Sequence, residues 1–313
     1  MKPLPGDLAA LASGGKPAHA RCLTALELAP EDPALVALLE AAWQAPRGVA
    51  RGLTGPPGVG KSTLAGALLA AWRARGQSVA VIAVDPSSRR SGGALLGDRI
   101  RIPTDPADPG AFVRSMAARR RLGGLADTTF PAVVLARALF DWVIVETVGV
   151  GQSETEIADC ADLVLLCVQP GAGDALQFAK AGIMEVPDLV LVTKADLGTA
   201  AERAAGDVRR ALSLATGDGP PPSVAVVSAV SGRGVAPALD GIDAARAAAA
   251  DRRAARRGAQ ARIWIGNRLV ESFGREGQAL LAPRLAGCDS PFAPVAALMD
   301  RARGALHESL KEL

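Results

Sequence analysis

Tyrosine is missing from all 313 residues, and aromatics together make up only 3% of the chain. That is too little for the stacked rings on which single-stranded nucleic acid is held. The formal net charge is +3, too small to argue for a nucleic-acid partner. The four cysteines, Cys22, Cys160, Cys167 and Cys288, form no CxxC or CxH pair, so neither a disulfide framework nor a zinc site is indicated and buried thiols are expected. Cys160 and Cys167 flank an expected strand, too far apart along it to bridge. The two histidines, His19 and His307, stand alone near the termini, and surface or helix-packing roles suit them better than ligation. No apolar run approaches the roughly 18 residues that span a bilayer. The opening MKPLPGDLAALASGG has two prolines and an aspartate where a signal peptide would have a continuous apolar core. A folded, cytoplasmic protein without a membrane span is therefore expected, and 49% hydrophobic residues is ample for a buried core.

Against these absences one stretch stands out. Gly55-Pro56-Pro57-Gly58-Val59-Gly60-Lys61-Ser62-Thr63 matches GxxxxGKS/T, the Walker A phosphate loop. Glycines let the backbone curl around phosphate oxygens without Cβ clashes. The successive N–H groups and the N-terminus of a following helix then make an anion cradle. Lys61 is expected between the β- and γ-phosphates, the Ser62 hydroxyl on Mg²⁺, and the Thr63 N–H on the α-phosphate. An apolar run before the motif and an amphipathic one after it supply the strand and helix that it requires.

Residues 1–46 read as a helical segment, with apolar residues at helical spacing over 4–12, 20–29 and 33–43, punctuated by prolines. Asp32-Pro33 is a helix start. From 47 to 245 short runs rich in Val, Ile and Leu alternate with helical stretches. The expected strands are 49–54, 78–84, 141–146, 163–168, 189–193 and 224–227, with helices over 61–75, 130–140 and 199–215. Strands that are apolar throughout are buried on both faces, so the fold class is α/β, a doubly wound, mostly parallel sheet of P-loop NTPase type. Residues 246–313 read as a helical extension beginning with an Ala-Arg helix, whose Arg252, Arg253, Arg256 and Arg257 are expected on a solvated face.

The downstream motifs narrow the nucleotide. Thr193-Lys194-Ala195-Asp196 follows a buried strand and matches N/T-K-x-D. The Asp196 carboxylate can accept from both N1–H and the 2-amino group of guanine, donors that adenine does not present in that arrangement, while the Lys194 stem lies along the ring. Ser228-Ala229-Val230, after the next strand, matches the SAK/L motif, whose backbone N–H meets guanine O6. Thr193 stands where Asn is usual, losing an amide that braces the loop, so slightly weaker affinity with the guanine preference kept is expected. Glu146-Thr147-Val148-Gly149 lies where a GTPase carries DxxG: the acid supports Mg²⁺ and the Gly149 N–H senses the γ-phosphate. Val150 follows where some GTPases have a water-positioning Gln, so slow unaided hydrolysis is expected. Asp85, at a strand end, and Asp98, in a loop, are further acids expected in the Mg²⁺ and switch region.

With these residues assembled, the chain resembles the MeaB/ArgK family of G proteins, SIMIBI-class accessory GTPases of adenosylcobalamin-dependent acyl-CoA mutases. The strings that carry the resemblance are GPPGVGKST, AVDPSS, SGGALLGDRIR, VIVETVGVGQSE, QPGAGDALQ and TKAD. The resemblance implies a homodimer formed largely through the C-terminal helices. It also implies a methylmalonyl-CoA mutase or relative as partner, with GTP binding and hydrolysis gating cofactor loading and mutase protection. Gln169 to Lys180 matches a loop that relays nucleotide state in that family: Gly171 and Gly173 suit a hinge, and Asp174, Gln177 and Lys180 suit contacts with partner or nucleotide. Bottom-up, the same stretch is a strand-to-helix connection with Asp174 as N-cap. The run SMAARRRLGGLADTT departs from the family's more serine-rich basic pattern, leaving Arg119, Arg120 and Arg121 unassigned. Alternatives remain: a nickel-loading metallochaperone GTPase, for which closely spaced Cys/His ligands are missing, a P-loop kinase, or a scaffold that binds nucleotide without turnover.

Overall fold

A computed structural model describes residues 3–86, 102–118, 127–147, 153–171, 186–215, 221–285 and 287–311. Among them a seven-stranded, wholly parallel sheet runs β3-β2-β4-β1-β5-β6-β7. The strands are β1 (Val49–Thr54), β2 (Val79–Pro86), β3 (Ala111–Ala118), β4 (Trp142–Thr147), β5 (Leu163–Val168), β6 (Leu189–Val192) and β7 (Ser223–Val226). β1, β4, β5 and β6 are buried at every position, as expected of parallel strands covered on both faces.

Alternation along the strands feeds two cores. Ala50, Ile82, Val143 and Val145 face one side, packed under α1 (Leu8–Ser13), α2 (Gly15–Leu28), α3 (Pro33–Gln44) and α5 (Thr129–Leu139). Leu53, Val81, Trp142 and Ile144 face the other, under α4 (Lys61–Ala74) and α7 (Val235–Ala248). Between them in sequence, α6 (Thr199–Ala215) covers β5 and β6. Asp32 caps α3 by accepting from the Ala34 N–H at 2.8 Å, one residue ahead of Pro33. His19 packs edge-on to Phe112 and Phe140 in the first core. Among the described residues no helix is long and apolar enough to cross a membrane.

The fold departs from the sequence reading in three places. β3 is an unforeseen strand. Its sequence, AFVRSMAA, has half-buried Arg114 and Ser115 in the middle, as an edge strand tolerates. Arg51 interrupts β1 yet is fully buried, its guanidinium 3.2 Å from the Trp142 ring centre and its Nη1 donating to the Val49 carbonyl at 2.9 Å. Third, the Ala-Arg helix does not begin at 246: α7 ends at Ala248 and α8 (Arg253–Leu281) starts after a turn.

The arginines of α8 are not simply a solvated face. Arg257 grips Asp162 with Nε at 2.7 Å and Nη2 at 2.9 Å, and Arg256 reaches Asp188 at 3.1 Å. The Asp162 side chain is wholly buried; it also accepts from the Ala50 N–H at 2.7 Å and from Arg137, itself 2% exposed. Nearby, Gln260 donates to the Ala158 and Ala161 carbonyls, and Trp264 donates to that of Asp127. Asp162 therefore joins β1, α5 and the C-terminal helices at one point. Burial raises its carboxyl pKa, but the hydrogen bonds from Arg257 and the charges of Arg137 and Arg257 outweigh that and hold it below the usual range. Its stabilisation is thus fully present above the unfolded-chain value near ~4 and is lost as pH falls through the lower folded value. Asp162→Ala strands the buried Arg137 charge and is expected to cost about 3–5 kcal/mol of stability in urea unfolding at neutral pH. A loss under about 1 kcal/mol would mean that the network is no stronger than an exposed pair.

Candidate nucleotide-binding site

The motif residues gather at the C-terminal ends of β1, β4, β5, β6 and β7, the edge at which open parallel sheets bind ligands. The phosphate loop springs from the central β1. Gly55 has φ 138°, and a Cβ there would sit 2.2 Å from the Cys167 carbonyl oxygen, so only glycine fits. The chain then turns through Pro57 and Gly58, both exposed, while Val59 is 0% exposed and anchors the loop in the core. Gly60, at φ 98°, begins α4 and supplies no side-chain cap. The first N–H groups of this helix therefore face the loop without a capping side chain, which is the arrangement that receives anions.

Lys61 is 7% exposed and donates to the carbonyls of Gly55 and Pro56 at 2.7 and 3.0 Å, spanning the mouth of the loop. Thr63 is exposed on the first turn. Ser62 donates its hydroxyl to Glu146 Oε1 at 2.6 Å. Glu146 is 3% exposed and is brought there by the β1–β4 register, which pairs it with Leu53. A serine hydroxyl beside a buried carboxylate is a hard-oxygen donor pair, and it fits Mg²⁺.

On the opposite rim, Thr193 corrects the expectation of a lost brace. Its hydroxyl lies 2.8 Å from the Val59 carbonyl and 3.1 Å from that of Val168, tying the base motif directly to the phosphate loop. Lys194 takes φ 57° and donates Nζ to Gln169 Oε1. Asp196 is exposed, and its Oδ1 accepts from the Ser228 hydroxyl at 2.5 Å. That hydrogen bond holds the Asp196 carboxyl below the usual range. Ser228 is itself 1% exposed, and its N–H donates to the Arg233 carbonyl at 2.8 Å. Ala229 and Val230 form the turn beyond it; the Val230 side chain is 86% exposed, which leaves the backbone as the useful part of that motif.

Three contributions escaped the sequence reading. Arg233 donates to the Ala195 carbonyl at 3.2 Å and so couples the two base-side loops. The Thr193 hydroxyl acts as a brace, and Gln169 points to the base side of the site. Their partners lie far away in sequence, and no local spacing signals them. Gly171, expected as a hinge, has φ 81°. Asp98, Gly149, Gly173, Asp174, Gln177, Lys180 and the Arg119–Arg121 cluster lie outside the described residues, as does the side chain of Asp85, whose backbone is the last but one in β2.

A family model described as "Methylmalonyl Co-A mutase-associated GTPase MeaB" matches residues 20–276. A Pyrococcus abyssi protein, whose name marks it provisionally as a GTPase, is 53% identical over 146 residues, 46% of this chain and 45% of its own. The mouse "Methylmalonic aciduria type A homolog, mitochondrial" is 39% identical over 228 residues, 71% of this chain and 55% of its own. The chain thus spans about half the length of these curated relatives. A solved structure described as LAO/AO transport system kinase superposes with a TM-score of 0.65 at 28% identity, covering 96% of each chain.

Proposed function

Because the chain belongs to the MeaB family of methylmalonyl Co-A mutase-associated GTPases, we propose that it is a guanine-nucleotide switch that hydrolyses GTP slowly and acts on an adenosylcobalamin-dependent acyl-CoA mutase. The observation that carries this reading is the joining of two rims through Thr193. One rim, Lys61 with the Ser62–Glu146 pair, suits a polyphosphate; the other, Asp196 held by Ser228, suits guanine.

In this reading the α4 N-terminus and the loop N–H groups bind the phosphates, and the Lys61 ammonium meets the β- and γ-phosphate oxygens. Ser62 and Glu146 hold Mg²⁺, which when bound supplies neutralising charge to the phosphates. Asp196 orients guanine by accepting from its N1–H and 2-amino groups. Gly149 N–H reads the γ-phosphate, and Asp85 and Asp98 belong to the Mg²⁺ and switch region. The valine at 150 does not position water, so hydrolysis is slow until a partner completes the site. Residues 169–180 carry the nucleotide state outward, with Asp174, Gln177 and Lys180 as contacts. The chain works as a homodimer through its C-terminal helices, and the GTP cycle gates cofactor loading and protects the mutase. The mouse relative's name, which refers to methylmalonic aciduria, supports the choice of partner class.

Capture of purified methylmalonyl-CoA mutase and its near relatives, with the protein in GDP and in a non-hydrolysable GTP analogue, tests this reading. One mutase should be retained, and its retention should differ between the two nucleotides. Absence of every mutase from both states would break the partner assignment.

A further inference from the structure

The end of β5 is where three parts of the site meet. The Cys167 carbonyl abuts Gly55, the first residue of the phosphate loop, so closely that a methyl there would sit 2.2 Å from it. The Val168 carbonyl, next in the chain, accepts from the Thr193 N–H at 2.8 Å. Gln169 follows, and its side-chain carbonyl accepts from the Lys194 ammonium at 2.5 Å. Successive residues of one strand end thus touch the phosphate loop, the end of the base strand and the lysine of the base motif.

Lys194 is constrained at both ends. Among the described residues it is the one non-glycine with positive φ, a conformation that a Cβ disfavours and that persists only where the surroundings enforce it. Its backbone is fixed by the turn from β6 into Ala195–Leu197, and its ammonium is fixed by Gln169. Those two points tie down both ends of the aliphatic stem and reduce its freedom. A stem that is already ordered loses little further freedom when a purine ring and its sugar settle against it.

We propose that Gln169 is a positioning residue for the bound purine nucleotide. By holding Lys194 Nζ it pre-orders the lysine stem against base and ribose. The same contact makes occupancy of the base pocket and the position of the chain beginning at Gln169 depend on each other. This inference rests on the guanine-nucleotide reading. It moves Gln169 from the partner-facing group, where the family resemblance puts it, to the base side of the site.

A double-mutant cycle with labelled GDP tests it, using the full chain, Gln169→Ala, Lys194→Ala and the double variant. Gln169→Ala should weaken GDP binding about tenfold, mainly through faster dissociation, the loss of one hydrogen bond to a charged group. In the Lys194→Ala background the same change should cost less than about twofold, because the partner is gone. Gln169→Glu keeps an acceptor for the ammonium and should restore binding to near wild type, which a merely structural role would not require. Unaltered affinity in Gln169→Ala, losses that multiply independently, or a glutamate variant as weak as the alanine one would each overturn the proposal. Wild-type protein that binds ADP as well as GDP would instead sink the guanine reading, and that result is independent of the cycle.

Discussion

Replacing Lys61 with alanine is expected to weaken guanine-nucleotide binding by at least about a hundredfold and to abolish turnover. The ammonium, 7% exposed, is held at the loop mouth by the carbonyls of Gly55 and Pro56. It therefore closes the loop and delivers the one fixed positive charge of the motif to the phosphates. Alanine removes both contributions while remaining a good residue for the first turn of α4, so thermal unfolding should change little. Lys61→Arg should not rescue binding, because a planar guanidinium neither fits between those carbonyls nor acts as a compact point charge. Equilibrium binding of labelled GDP and a single-turnover assay measure the effect. Turnover within about threefold of wild type, where loss of turnover is expected, would remove the phosphate loop from the mechanism. Mutase capture that stayed nucleotide-dependent in the alanine variant would also contradict the switch.

Much of the site is legible in the sequence because its motifs encode local backbone. The loop needs glycine at positions 55, 58 and 60 because φ is positive at each, and GPPGVGKST states that requirement outright. The central strands are equally plain, since burial on both faces leaves only apolar residues in β5 and β6 and in the first four positions of β4. Legibility fails where a residue's role is set by something distant. The burial of Arg51 in β1 depends on the Trp142 ring that its guanidinium meets from another strand. Arg257 reads as surface charge until Asp162 meets it from 95 residues away. β3 was missed because an edge strand has no need of a continuous apolar run, and α7 because VAPALDGIDAARAA has Pro and Gly inside a weak apolar stripe. Thr193 is the sharpest instance. Compared with asparagine it suggests a missing contact, whereas the Val59 carbonyl lies within reach of its hydroxyl.

Asp196→Asn is expected to exchange a guanine preference for a xanthine preference by on the order of a thousandfold, the penalty that a site built around specific hydrogen bonds imposes on a mismatched ligand. The Asp196 carboxylate, which accepts from the Ser228 hydroxyl, only accepts hydrogen bonds, and guanine offers two donors on its N1–C2 edge. Xanthine keeps N1–H but replaces the 2-amino group with a carbonyl, which a carboxylate repels. Asparagine has one acceptor and one donor on the same short stem, the pair that xanthine matches. Its side-chain oxygen can still accept from Ser228, so the brace between the two base loops survives. Adenine presents no N1–H and should be poor in both proteins.

Displacement of a labelled nucleoside diphosphate from wild-type protein and from Asp196→Asn, by GTP, XTP and ATP in turn, is the most direct measurement. Wild type should release its label to GTP and hold it against XTP and ATP, while the variant should release its label to XTP and hold it against GTP. Wild type yielding its label to ATP as readily as to GTP, or a variant with an unchanged order of preference, would contradict a guanine switch.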